Sequence, residues 1–265
     1  MFPRFSTTSI MTATLLALSL LTAAAAVPSS NLALGPRVRH PSSNSTNWSG
    51  FAVTAGSGAV SDAKGSWIVP TIQGTCTSTN QYSSFWVGID GFNSGTVEQT
   101  GTDSDCQNGA PTYYTWYEFY PHPSFLISGL TIHPGDHISA EVSFANRRFT
   151  TTITDVTTGL SFSTSARVSG AQRSSAEWIA EAPSSSGGIL PLADFGTVSY
   201  GTDNTGVAST CFATINGATG AIGSFASSSI QSITMVTNSG ATKAQPSALS
   251  SDGTSFSVRW VSSGP

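Results

Sequence analysis

From Trp48 onward the chain consists of short apolar or alternating runs separated by Gly, Ser, Asn and Asp. The clearest are Phe51-Ala-Val, Gly65-Ser-Trp-Ile-Val, Phe85-Trp-Val-Gly-Ile, Thr112–Tyr120, Ile138–Phe144, Phe149–Ile153 and Phe256–Val261. No long stretch repeats apolar residues at i, i+3, i+4 and i+7, as a surface helix requires. Pro134-Gly-Asp136 and Thr157-Thr-Gly159 are turn signals. Short runs punctuated in this way predict an all-β fold, a two-sheet antiparallel β-sandwich. About 220 residues are within the range of one such domain.

The N-terminus follows a different pattern. Arg4 supplies a positive charge, Ile10 to Leu21 an apolar run, and Thr22-Ala-Ala-Ala-Ala26 a small-residue cleavage site. This predicts a signal peptide over 1–26, too short to be a membrane anchor. Residues 27–46 are polar and proline-bearing, a short propeptide or linker, which leaves 47–265 as the catalytic domain. The mature protein is expected to be secreted, extracellular and free of the membrane once the signal is cleaved.

Charge narrows the partners. Only 9% of the residues are charged, and three of the ten basic ones (Arg4, Arg37 and Arg39) precede Asn47. Seven basic residues then face fourteen acidic ones, a balance that argues against nucleic acid. Sparse charge also limits self-repulsion in acid, so acid tolerance is expected. Of the three cysteines, Cys76 and Cys106 bracket the first candidate functional stretch and are expected to pair in an oxidising compartment. Cys211 is left free and buried.

On a strand over Tyr113–Tyr120, Tyr114, Trp116, Glu118 and Tyr120 share one face. A carboxylate among aromatics suggests a substrate groove, and a solvated strand face is the plain alternative. In Ala176–Glu181, Trp178 faces the core while Glu177 and Glu181 face the other way. No Gly-x-Ser-x-Gly elbow is present for a serine nucleophile. The Pro-Gly between His133 and His137 forbids the helix that metal ligation at that spacing needs, so neither metal nor cofactor is expected. Carboxylate and carboxamide chemistry remains. Peptide hydrolysis needs a base for the water and a donor for the oxyanion, and an amide donor does not titrate. Spacing alone does not select which Gln meets which Glu.

Trp48-Ser-Gly, Trp86-Val-Gly-Ile-Asp-Gly, Glu98-Gln-Thr-Gly, Trp116-Tyr-Glu-Phe-Tyr-Pro and Ala176-Glu-Trp-Ile-Ala-Glu resemble, in order, the glutamic peptidases, or eqolisins. The resemblance implies a concanavalin A-like sandwich of jelly-roll type and a monomeric acid endopeptidase acting on polypeptides. It implies Gln99 and Glu181 as the catalytic pair, with Trp48, Trp86, Asp90, Asp103, Trp116, Glu118 and Tyr120 lining or supporting the cleft. Tyr114 departs from the family, which carries an acid at that position. If 27–46 is a propeptide, its Arg37, Arg39 and His40 would pair with cleft carboxylates and release as these protonate. Asn44-Ser-Thr and Asn47-Trp-Ser are glycosylation sequons in a eukaryotic source. Two rivals remain: a glycoside hydrolase using Glu118 and Glu181, and a carbohydrate-binding module using the exposed aromatics.

Overall fold

A computed structural model describes residues 44–264. The signal peptide and residues 27–43 of the segment read as propeptide or linker, with Arg37, Arg39 and His40, lie outside the described residues. Two antiparallel sheets pack face to face. The front sheet runs, in spatial order, Ile230–Val236, the Trp48 strand (Trp48–Thr54), the glutamate strand (Ser175–Glu181), the Trp86 strand (Ser84–Ile89), the glutamine strand (Val97–Gln107), the aromatic strand (Ala110–Tyr120) and a short edge at Phe125–Leu126. The back sheet runs Thr242–Pro246, Ser255–Trp260, Thr197–Gly201, Val60–Ile68, His137–Ala145, Arg148–Asp155 and Leu160–Ala166. Strand Ile230–Val236 belongs to both: Ile230–Ile233 pair in the front sheet, and Met235 and Val236, with a register shift between them, pair with Thr242–Pro246. Among the described residues, helix is confined to Thr202–Thr205 and a 3-10 turn at Ile222–Ser224.

The predicted runs all fall on strands, and the sandwich is the predicted fold. Back-sheet strands alternate as a one-sided sheet should: Ile138, Ala140 and Val142 point into the core while their neighbours are only partly covered. Between the sheets lie Trp67, Trp178, Phe85, Tyr200, Ile138 and Ile153. Their polar atoms are satisfied there. Trp178 Nε1 donates to the Lys64 carbonyl at 2.9 Å, Trp67 Nε1 to Thr102 Oγ1 at 2.9 Å, and Tyr200 Oη to the Ile179 carbonyl at 2.7 Å.

The front sheet departs from the one-sided pattern. Every residue of the glutamate strand and of the Trp86 strand is buried. The outward face carries its own apolar cluster of Trp48, Ala52, Trp86, Phe92, Trp116 and Ile179 among others, with Tyr114 and Tyr120 packed against it. Cys76 and Cys106 form the expected disulfide (Cα–Cα 5.3 Å), which ties the end of the glutamine strand to the preceding loop. Cys211 is free and buried, and burial pushes its thiol pKa up.

One glycine sets the depth of the outward cluster. Gly101 lies between Trp86 and Trp116 in register, and a Cβ there would run into the Phe85 carbonyl oxygen and stand 2.7 Å from Trp86 Cβ. Gly101→Ala is therefore expected to destabilise the fold by about 1–3 kcal/mol through overpacking. Urea unfolding of the variant checks this, and an unchanged midpoint would show that the indole row has slack.

Candidate active site

Strand pairing places the candidate residues before any side-chain contact is considered. Residues opposite one another on neighbouring strands share a face, and so do residues two apart on one strand. One row across the front sheet reads Trp48, Glu181, Ser84, Asp103, Tyr114. Two residues along comes Gly50, Ile179, Trp86, Gly101, Trp116. Two more gives Ala52, Glu177, Gly88, Gln99, Glu118. Gln99, Glu181, Trp48, Trp86, Asp103, Trp116, Glu118 and Tyr120 therefore all belong to the outward face. Gln99 and Glu181 are two strands apart and four residues apart in register. In a flat sheet that is about 10 Å across and about 13 Å along between Cα atoms.

Three carboxylates on this face, Glu181, Asp103 and Glu118, are held by named donors. Glu181 receives Trp86 Nε1 on one oxygen at 2.7 Å and Asn47 Nδ2 on the other at 3.1 Å. Asp103 receives Trp116 Nε1 at 2.6 Å and Tyr114 Oη at 2.8 Å. Glu118 receives the Gln99 amide, Nε2 to Oε2. The pattern repeats across the sheet, with two indoles from the central row each reaching a carboxylate in the next row. Trp48 meets Trp86 edge-on at 5.0 Å between ring centroids, which helps fix the indole that holds Glu181.

The Peptidase A4 family model matches residues 46–248. The chain belongs to the peptidase A4 family. It is 32% identical over 178 residues to aspergillopepsin-2 of Aspergillus niger, covering 59% of this chain and 62% of that protein. It is 42% identical over 101 residues to scytalidopepsin B of Scytalidium lignicola, covering 36% and 38%. The matches thus span less than two thirds of these relatives' own length. Among solved structures, scytalido-glutamic peptidase with a transition-state analogue inhibitor superposes with a TM-score of 0.66 at 27% identity, covering 82% of this chain and 98% of that one. Aspergilloglutamic peptidase from Aspergillus niger gives 0.57 at 28%, covering 68% and 99%.

As a peptidase A4 member the chain has its own arrangement around the site. Asp90 has a different task from the other residues of the expected set. Its backbone is left-handed (φ 69°), and its carboxylate accepts the backbone N–H groups of Gln172, Arg173 and Ser174 at 2.6–2.9 Å. It clamps the loop that leads into the glutamate strand and so sets where Glu181 starts from. Asn47, read in sequence only as a sequon, is buried against Glu181. A lone Asn beside Trp48 carries no pattern that would have revealed this. Glu177, expected to share the Glu181 face, falls in the row of Gln99. Among the described residues no group of three or more His, Cys, Asp or Glu is positioned to hold a metal ion, and no helix is long and apolar enough to cross a membrane.

Tyr114 produces a proton count. Its hydroxyl lies 2.8 Å from Asp103 Oδ2 and 2.9 Å from Asp105 Oδ2. A phenol has one proton to give. For both contacts to be full hydrogen bonds, one aspartate must bring its own proton. Burial works in the same direction, raising Asp103 well above the ordinary carboxylate range and Asp105 to about 7. Glu98, on the inward face beside Gln99, is pushed to about 9 by burial and then by the Asp90 charge.

These shifts fix a pH dependence. The folded-state pKa values lie above the unfolded ones, which are near roughly 4. Below about pH 4 both states hold the protons and there is no penalty. Between there and 7 for Asp105, or 9 for Glu98, the unfolded chain releases a proton that the folded chain keeps, so raising the pH favours unfolding. Each retained proton contributes a slope of up to about 1.4 kcal/mol per pH unit. The melting temperature is expected to be highest in acid and to fall steadily from about pH 4 to pH 8. A melting temperature that rises over that interval would contradict the assignment.

Proposed function

We propose that this chain is a secreted acid endopeptidase that uses Glu181 as general base and then general acid, and Gln99 as the oxyanion donor. The observation that carries the reading is the common face: a carboxylate pinned by Trp86 and Asn47, and a carboxamide oriented by Glu118, both directed to the same side of one sheet. Membership of the peptidase A4 family supports the reaction class.

Each partner then has a physical task. Glu181 takes a proton from water as the water attacks the scissile carbonyl, and later returns it to the leaving amine. Its two oxygens are oriented by separate donors, so the carboxylate is held rather than left to search rotamers. A primary amide has two N–H donors. At Gln99 one goes to Glu118, and the mechanism assigns the second to the oxygen that becomes negative in the tetrahedral intermediate. The amide does not titrate, so this donor persists at the low pH where the buried Asp103 and Asp105 keep their protons. Tyr120, partly exposed and packed against the buried Trp48 and Trp116, offers an apolar edge for an extended polypeptide.

The glycosidase alternative fits the register poorly. Glu118 lies one strand farther from Glu181 than Gln99 does, three strands and four residues away in register. The two also hold different partners, Gln99 on one side and the Trp86 indole with Asn47 on the other.

The protein should therefore cleave an unfolded protein substrate at about pH 3–4, where a glutamate is still partly ionised. Gln99→Ala is expected to lower turnover by about 10²–10³. Glu181→Gln is expected to abolish turnover to within detection, with both variants still folded by circular dichroism at the assay temperature. Full activity in Gln99→Ala beside an inactive Glu181→Gln would break the pairing.

A further inference from the structure

Away from the front face, the sandwich ends in a cavity of about 490 Å³ lined by Phe144, Phe149, Val168 and Ala171 and by three arginines, Arg147, Arg167 and Arg173. A volume of this size suits a small-molecule ligand. The chain has only seven basic residues after Asn47 and fourteen acidic ones, yet three of the seven converge here. Among the described residues no carboxylate lies within 4.0 Å of any of the three guanidinium groups. Arg173 donates one N–H to the Val60 carbonyl at 3.1 Å and lies over the Phe144 ring at 4.1 Å. The nearest arginine along the chain, Arg148, is turned away and tied to Ser165. Asp90, the acid close to Arg173 in the fold, uses both oxygens on backbone amides of the same loop.

The backbone also bears a cost at this pocket. Asn146 and Arg147 form a two-residue hairpin loop between paired Ala145 and Arg148, with φ of 51° and 61°. Loops of this kind favour Asn-Gly, since the second position needs a left-handed backbone. Arg173 is left-handed as well, at φ 49°. Two of the three arginines therefore stand where a side chain is strained, and like charges gathered without counter-charges add repulsion. A ligand of opposite charge relieves that repulsion. Guanidinium forks match tetrahedral oxyanions, and the partly exposed Phe144, Val168 and Ala171 give the pocket an apolar side.

We propose that this pocket binds an organic phosphate or sulfate ester, with the oxyanion held by Arg147, Arg167 and Arg173 and the carbon body against Phe144, Val168 and Ala171. The site is independent of the peptidase reading, because none of its residues belongs to the outward face of the front sheet. Calorimetric titration at constant ionic strength with phenyl phosphate, inorganic phosphate and benzyl alcohol tests it. Saturable one-site binding of phenyl phosphate is expected, tighter than inorganic phosphate, with no saturable binding of benzyl alcohol. The Arg147→Ala/Arg167→Ala protein should bind at least tenfold more weakly, and Gln99→Ala should bind like the parent. Arg147→Gly, which suits the hairpin turn, should weaken binding while keeping or raising the ligand-free melting temperature. No saturable binding by the parent, binding unaltered in the double variant, or inorganic phosphate bound as tightly as the ester would each overturn the proposal.

Discussion

Pairing register in the front sheet is the constraint on which the rest depends. Side chains on a strand change face at every residue, so a slip of one position in the glutamate strand would carry Glu177 and Glu181 into the sandwich and turn Trp178 outward. Two features oppose such a slip. Trp178 fills the core and donates to the Lys64 carbonyl, while Trp86 on the adjacent strand reaches Glu181 from the other face. Asp90 adds a third restraint by holding the three residues that precede the strand. The core and the candidate site thus specify the same register from opposite sides of one sheet.

That arrangement explains how carboxylates come to be buried in a protein with so few charges. The glutamate and Trp86 strands are buried on both faces, so acids on the front sheet lose water, and burial raises Asp103, Asp105 and Glu98. Glu181 is given two neutral donors, the indole of Trp86 and the amide of Asn47. Asp103 and Asp105 share a phenol that cannot satisfy both without a proton from one of them. The row of Glu181 and Asp103 therefore holds acids of two kinds: a carboxylate oriented by the Trp86 indole and Asn47, and an aspartate that shares Tyr114 with Asp105 around a proton that is kept. A protein of this composition is suited to acid because its buried acids are neutral there, in addition to having few positive charges to repel one another.

Positive charge is distributed by a different rule. The outward face of the front sheet gathers carboxylates, aromatics and amides, whereas arginines collect at the open end of the sandwich around Phe144 and Phe149. Both places pair a ring system with polar groups, but of opposite sign, and each rests on a turn with left-handed residues: Asp90 beside the first, Arg147 and Arg173 at the second. The 167–174 loop touches both, since Arg173 lines the pocket while its own backbone N–H is held by Asp90.

Much of this was legible in the chain itself. Alternation over Tyr113–Tyr120 correctly divided Tyr114, Trp116 and Glu118 from Tyr113, Tyr117 and Phe119, because a period of two is a local property that survives packing. Short apolar runs between turn signals gave the strands, and two cysteines bracketing a segment gave the disulfide. What local pattern cannot encode is which strands become neighbours. Asn47 against Glu181, Tyr114 bridging two aspartates, Asp90 clamping a loop some eighty residues away and three scattered arginines around one cavity all depend on pairings between distant segments. Those pairings follow from the joint burial of two sheets, an energy shared among many residues and written in no single stretch of sequence.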